Sequence, residues 1–315
     1  MEISDSRPSR IGLLLAFAAV YVLWGSTYLA IRLAIDSIPP FLMAGSRFVV
    51  AGAILFAYGS QRYAGRLTLV QWRNAALASV PLFVIGNGGV TWAEQSVPSG
   101  LAALVVATIP VWMLLFDWMY GGRRGPRRAE LMGVGAGLAG VTVLAAPGAD
   151  GGSPAGIGAL VFSAVGWSCG SLVNRYADLP KSPFMISGME MLVGGVFLLG
   201  VGLVTGEASR FDPVAVSWQS GAALVYLIAV AVVALPAYTW LMTVCSPALV
   251  GTYAFVNPVI AVLLGCAVLG EELTSQTLAA IALVVVGVAL LTRPQKSVSS
   301  PGERRREVLV IEEGV

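Results

Sequence analysis

The sequence contains no histidine. That removes the side chain most used for metal ligation and for proton relays near neutral pH. It has three cysteines, Cys169, Cys245 and Cys266, each inside an apolar stretch. They lack the spacing of a disulfide or zinc framework and read as small packing residues. Charge is scarce too. Only 11% of the 315 residues are Asp, Glu, Lys or Arg, against about 25% in soluble proteins. Neither a G-x-x-x-x-G-K-[ST] loop nor a G-x-S-x-G or H-E-x-x-H motif occurs, so ATP-driven transport by this chain and the common hydrolytic chemistries are excluded as first readings. The chain reads as no enzyme, with no metal and no cofactor, and a net charge of +2 gives no pull toward nucleic acid.

What is present is apolar: 57% hydrophobic residues and a mean hydropathy of +0.82. A membrane-spanning helix needs about 20 mostly apolar residues. Ten such stretches are predicted, at 11–34, 40–59, 72–92, 98–120, 129–146, 154–176, 183–205, 218–243, 247–270 and 274–292. Pro40, Pro98, Pro154, Pro183 and Pro247 fall at helix starts, where the missing N–H costs nothing. The first stretch is too long for a cleavable signal and reads as a spanning helix. The expected fold is an all-α integral membrane protein, with polar tails at 1–10 and 294–315.

Val22–Arg32, V-L-W-G-S-T-Y-L-A-I-R, interrupts the first apolar run with polar groups. It recurs 143 positions later as Val165–Arg175, V-G-W-S-C-G-S-L-V-N-R. The same register carries Pro40-Phe41 onto Pro183-Phe184, Gly45 onto Gly188 and Gly52 onto Gly195, giving 12 identities over the 46 positions 11–56. Chance would match roughly one position in ten at this composition. Later stretches match at offsets of 148 (Thr91-Trp92 with Thr239-Trp240, Pro110-Val111 with Pro258-Val259) and 147 (Gly140-Val141 with Gly287-Val288). The chain is therefore two units, 11–147 and 154–293, of five helices each. An odd number of spans inverts the second unit, and inverted repeats are the architecture of secondary transporters. With the first residues in the cytoplasm, fifteen Lys/Arg fall in cytoplasmic segments against Arg210 alone outside, a strong positive-inside bias that puts both termini in the cytoplasm.

Ionisable residues at membrane depth are costly and mark candidate sites. Arg47 lies seven residues into the second stretch, roughly 11 Å deep at 1.5 Å per residue. Its repeat mate Glu190 lies as deep from the opposite face. The two are expected to face one central cavity, with Arg47 taking a substrate carboxylate and Glu190 a substrate ammonium or a coupling proton. The alternatives are a structural ion pair and an Arg47 that snorkels outward. Arg32 and Arg175 read as end anchors, and Asp117 and Glu94, near helix ends, as solvated. Trp24, Tyr28, Trp92, Trp167 and Tyr253, with Asn87 and Asn257, are candidate cavity-wall residues, because aromatics with a few polar groups suit organic solutes. Gly86, Gly88, Pro110 and Pro258 are candidate hinges; Ile85–Gly89 and Asn257-Pro258 are the expected sites of irregular backbone. Gly133-x-x-x-Gly137 gives the fifth stretch a small-residue face for packing within the bundle, or between the subunits of a homodimer rather than a monomer.

At W-G-S-T-Y, P-P-F-L-M-A-G-S-R-F and V-P-S-G-L-A-A-L-V-V-A-T-I-P-V in the first half, and G-M-E-M-L and S-P-A-L-V-G-T-Y-A-F-V-N-P-V in the second, the chain resembles the EamA-type carriers of the drug/metabolite transporter superfamily. The resemblance runs over about residues 11–293. It implies ten helices in two inverted EamA units and export of amino acids, related metabolites or drugs across a bacterial inner membrane. It also places Trp24–Tyr28, Arg47 and Glu190 at positions the family fills, with Gly86–Gly89 and Asn257-Pro258 on its midplane segments. The expected partners are a small-molecule substrate and the lipid bilayer. Uptake or exchange by the same fold stands as the alternative to export, with a channel or lipid scramblase behind it.

Overall fold

A computed structural model describes residues 9–63, 65–97, 99–120, 125–144, 153–260 and 275–291. Among them every regular element is helical, the longer ones being α1 Arg10–Ala34, α2 Pro40–Ser60, α3 Leu69–Ala93, α4 Ser99–Val106, α5 Ile109–Tyr120, α6 Arg128–Leu144, α7 Pro154–Tyr176, α8 Pro183–Val204, α9 Trp218–Val244, α10 Pro247–Ile260 and α11 Ser275–Leu291. Glu207–Arg210 and Pro213–Ala215 are single turns between α8 and α9. Six of these, α1, α2, α3, α7, α8 and α9, are long and apolar enough to cross a membrane; the others are shorter. The predicted tails, Pro98, Cys266 and the second half of the ninth stretch lie outside the described residues.

Local chemistry explains the boundaries. α2, α7, α8 and α10 each open on proline. Ser153, Ser217 and Ser246 cap α7, α9 and α10, each accepting a first-turn backbone N–H. Thr68 and Gln71 form a reciprocal capping box at the start of α3, which extends that helix three residues before its first predicted position. The fourth stretch is not one helix: α4 and α5 are separated at Ala107-Thr108. Pro110 sits in the first turn of α5, where it starts a helix instead of kinking one. Asn257-Pro258 is regular helix, and the irregular point of α10 falls earlier, at Gly251-Thr252. A Cβ on Gly251 would come within 3.3 Å of the Pro110 Cα, so the two breaks pack on one another.

The irregularity expected in α3 at Ile85–Gly89 is present but begins earlier, and Gly88-Gly89 are regular helix. Val80–Asn87 winds as a π-helix. Pro81 cannot donate the N–H that an α-turn requires, and the wider turn redistributes the carbonyls around it. Ser163 of α7 donates to the Gly86 carbonyl.

Packing follows the repeat. α2 lies on α8, α6 on α11, α1 on α9 and α3 on α7. Since the internal repeat equates α1 with α7 and α3 with α9, the last two pairings exchange into each other. The α2–α8 crossing depends on glycine. A Cβ on Gly45 would come within 2.8 Å of the Leu199 nitrogen, on Gly52 within 2.7 Å of Leu192 N, on Gly188 within 2.6 Å of Phe56 N and on Gly195 within 2.7 Å of Val49 N. Residue number rises along one helix as it falls along the other, so α2 and α8 run antiparallel in backbone contact.

Candidate functional site

A cavity of about 100 Å³ lies between the α1–α9 pair and the α3–α7 pair, in the half of the bundle that holds the ends Ala34, Pro40, Ala93 and Trp218. α1 contributes Trp24, Thr27, Tyr28 and Ile31; α2 contributes Arg47 and Phe48; α3 adds Phe83, Gly86, Asn87 and Val90. Ser163 and Trp167 of α7, Leu227, Val230, Ala231 and Leu235 of α9, and Tyr253 and Asn257 of α10 also line it, with Val106, Ile109 and Met191.

The polar interruption in α1 survives in an apolar helix because its hydroxyls are satisfied locally. Ser26 donates to the Leu23 carbonyl and Thr27 to the Trp24 carbonyl, the back-bonding open to short hydroxyl side chains in helices. Ser26 also pairs with Tyr226 of α9 at 2.6 Å. Trp24 is thereby turned into the bundle, where it meets three other rings. Its centroid lies 4.7 Å from Tyr253, 5.0 Å from Tyr238 and 5.4 Å from Trp167. Trp167 Nε1 donates to the Tyr238 hydroxyl at 3.2 Å, and that hydroxyl pairs with Ser171 at 2.6 Å. This aromatic cluster draws together α1, α7, α9 and α10. Each edge-on pair adds about 0.5–1.5 kcal/mol beyond area burial. Gly86 belongs to the same construction, since a Cβ there would sit 3.1 Å from the Trp167 ring.

Arg47 is 4% exposed. One guanidinium nitrogen donates to Asn87 Oδ1 at 2.9 Å, and the guanidinium carbon lies 4.1 Å from the Phe48 ring centroid. Its Nε has no hydrogen-bond partner among the described residues. A buried cation with an unused donor on a cavity wall is suited to an anion, since a planar guanidinium matches a carboxylate with two parallel N–H groups.

Of the residues singled out from sequence, Trp24, Tyr28, Arg47, Asn87, Trp167, Tyr253 and Asn257 line this one cavity. Trp92 and Glu190 do not. Trp92 is 38% exposed on the outside of α3. Glu190 is fully buried and does not line the cavity: Asn174 Nδ2 donates to one carboxylate oxygen at 3.3 Å, and the other has no partner among the described residues. Arg47 and Glu190 therefore do not face each other. Equal depth from opposite faces does not bring mates together, because it leaves open which way each helix turns its side chain. Of Gly88, Pro110 and Pro258, none lines the cavity; Gly88 packs on Leu198.

Two sequence expectations are corrected outright. Glu94 and Asp117 are buried, not solvated. Glu94 sits one residue past α3, but the chain folds inward there, and neither of its carboxylate oxygens has a partner among the described residues. The charges it acts on are Arg32 and Arg47. Asp117 accepts from the Tyr176 hydroxyl at 2.5 Å. Distance from a helix end measures depth along the axis, and it cannot register what covers that end from the side. Glu207 was missed altogether: from the α8–α9 connection it reaches back to accept from Leu42 N at 2.9 Å and Phe41 N at 3.3 Å, an anion on the first turn of α2. No local spacing announces a cap supplied from 165 positions away.

A known family matches both halves of this arrangement. The model of the EamA-like transporter family matches residues 10–146 and again residues 154–293. The chain belongs to the EamA-like transporter family. It is 39% identical over 293 residues to the uncharacterized inner membrane transporter YedA of Escherichia coli strain K12, covering 91% of this chain and 94% of that one. It is 30% identical to the aromatic amino acid exporter YddG of Ancylobacter novellus, over 89% and 96% of the two chains. A solved crystal structure superposes with a TM-score of 0.75 at 26% identity, over 90% of this chain and 99% of that one. The EamA-like chain described above is accordingly a multi-pass helical transporter of the inner membrane, built as two EamA-like repeats.

Proposed function

We propose that the protein is a secondary carrier that exports small organic solutes, amino acids and related metabolites first among them, across a bacterial inner membrane by alternating access. In this reading ten helices form two inverted five-helix units, and both termini are cytoplasmic. The observation that carries the substrate reading is Arg47, a buried guanidinium lining a mainly aromatic and aliphatic cavity, whose Nε has no hydrogen-bond partner among the described residues. A carboxylate would take the guanidinium, and an apolar or ring-bearing body would lie against Trp24, Trp167 and Tyr253. The antiparallel backbone contact of α2 with α8 supports inversion of the units, because repeat mates then run in opposite directions. The relative named as an aromatic amino acid exporter supports the same solute class.

Glu190 keeps a role in this scheme as the mate of Arg47 in the opposite half. It is buried here with one oxygen that has no partner among the described residues, and it is the proposed carrier of a coupling proton or the partner of a substrate ammonium when that half opens. Counterflow in proteoliposomes tests the carrier reading. Trans-acceleration of a labelled amino acid by its unlabelled form is expected, and a panel of amino acids and metabolites that all fail to accelerate exchange would refute it.

A further inference from the structure

Arg32 and Arg175 occupy the same position in the two repeats, since 32 plus 143 is 175. Their side chains do the same thing at opposite ends of the bundle. Arg32, on α1, donates to the Glu94 carbonyl just past the end of α3 at 2.8 Å. Arg175, on α7, donates to the Met242 carbonyl in the last turn of α9 at 2.5 Å and to the Cys245 carbonyl at 2.6 Å. The acceptors are also repeat mates, because the α3–α9 register of 148 carries Glu94 onto Met242. Each arginine thus binds the carbonyl end of a helix, where unpaired acceptors and the macrodipole favour a cation.

The helices joined are what give this pair a meaning. α1 packs on α9, and α3 packs on α7. Arg32 ties the first pair to the second at the Ala34 end, and Arg175 ties the second to the first at the Tyr176 end. The cavity lies between those pairs. Each tie is a charge-assisted bond to backbone carbonyl that water can replace when the pairs part, and the Glu94 carboxylate acts on Arg32 through space.

We propose that Arg32 and Arg175 are the two gate latches of the carrier, one for each membrane face, and that they release alternately. The inference rests on the alternating-access reading above and adds the residues that hold each state shut. Both latches are engaged in this structure, which fits the small volume of the cavity. Releasing Arg32 would widen the existing cavity toward the Ala34 end. Releasing Arg175 would part α7 from α9 and expose Ser171, Asn174 and Glu190, the mates of Tyr28, Ile31 and Arg47.

Cys245 provides a native reporter, because it is half-buried at the Arg175 latch. In a chain carrying Cys169→Ala and Cys266→Ala, its alkylation rate by a charged maleimide reads opening at the Tyr176 end. Arg175→Gln is expected to raise that rate about tenfold, the loss of a hydrogen bond to a charged group, and Arg175→Lys to raise it less. Arg32→Gln, which leaves the Arg175 latch as the stronger of the two, is expected to lower it. Shifts in opposite directions support the latches even if Arg175→Gln folds poorly, since Arg32→Gln and Arg175→Lys are read in the same assay. No shift, or shifts of the same sign, would overturn the proposal. Counterflow by the parent chain is measured alongside: trans-acceleration without opposite shifts removes the latches alone, whereas opposite shifts without trans-acceleration remove the carrier reading and leave the latches.

Discussion

Trp24 and Trp167, equivalent residues of the two repeats, meet edge-on with ring centroids 5.4 Å apart and planes 86° from parallel. Repeat mates that touch must lie beside the axis relating the two units, so this pair marks the centre of the molecule. It also bounds the cavity, which makes the centre of symmetry and the proposed substrate position one place.

Removing a ring at that centre should weaken solute binding in proportion to the lost aromatic surface. Trp24→Ala is expected to raise KM in counterflow for a ring-bearing amino acid by at least about tenfold, while Trp24→Phe, which keeps an edge for Tyr253 and Trp167, changes it by no more than about threefold. Equal effects of the two substitutions would place the solute elsewhere.

Arg47 should discriminate by charge. Arg47→Gln is expected to lose about 1.5–3 kcal/mol of binding for a carboxylate-bearing solute, read as a rise in KM, and to leave the corresponding amide nearly unaffected. Arg47→Lys should recover only part of the loss, because an ammonium cannot hold Asn87 and a carboxylate in one plane.

The α2–α8 crossing predicts a stability contrast between two glycines of the same type of helix. Gly52→Ala would drive a methyl to within 2.7 Å of the Leu192 nitrogen and should cost about 1–3 kcal/mol by overpacking, seen as a lowered Tm in detergent. Gly200→Ala meets nothing within 4 Å and should leave Tm unchanged or slightly raised, alanine being the better helix former.

Glu207 should act as a remote cap. Glu207→Ala leaves Phe41 N and Leu42 N without their acceptor in a buried setting, and about 2 kcal/mol of destabilisation is expected. The neighbouring exposed Ser209→Ala serves as the control in the same thermal assay, with no change expected.

The helices and their doubling were legible because each rests on a local signal. Proline at the first turn fixed the starts of α2, α7, α8 and α10, and the W-G-S-T-Y stretch and its copy fixed the register of the repeat. The cavity wall was legible in part for the same reason: Trp24, Arg47 and Trp167 stand out as polar or aromatic groups within apolar runs. What spacing could not carry was lateral contact. Whether Glu190 faces Arg47 depends on how far each helix rotates about its own axis, and a depth count contains no rotation. Glu94 was misplaced because what surrounds it comes from helices distant in sequence, Arg32 of α1, which donates to its carbonyl, among them. Arg32 and Arg175 read as anchors because their acceptors are backbone carbonyls, which every residue carries and no sequence marks.

The substitution of glutamate for arginine between Glu190 and Arg47 has an electrical consequence. A two-fold architecture would ordinarily offer a solute the same surroundings whichever face it came from. Here the half of the bundle now hollow carries a fixed positive charge, while its counterpart, closed in this structure, carries a carboxyl group. In the carrier reading proposed above, a zwitterion crossing from one half to the other would exchange attraction at its carboxylate for attraction at its ammonium. In that reading the pathway would carry a polarity that its backbone lacks, and a transmembrane voltage would act differently on its two ends.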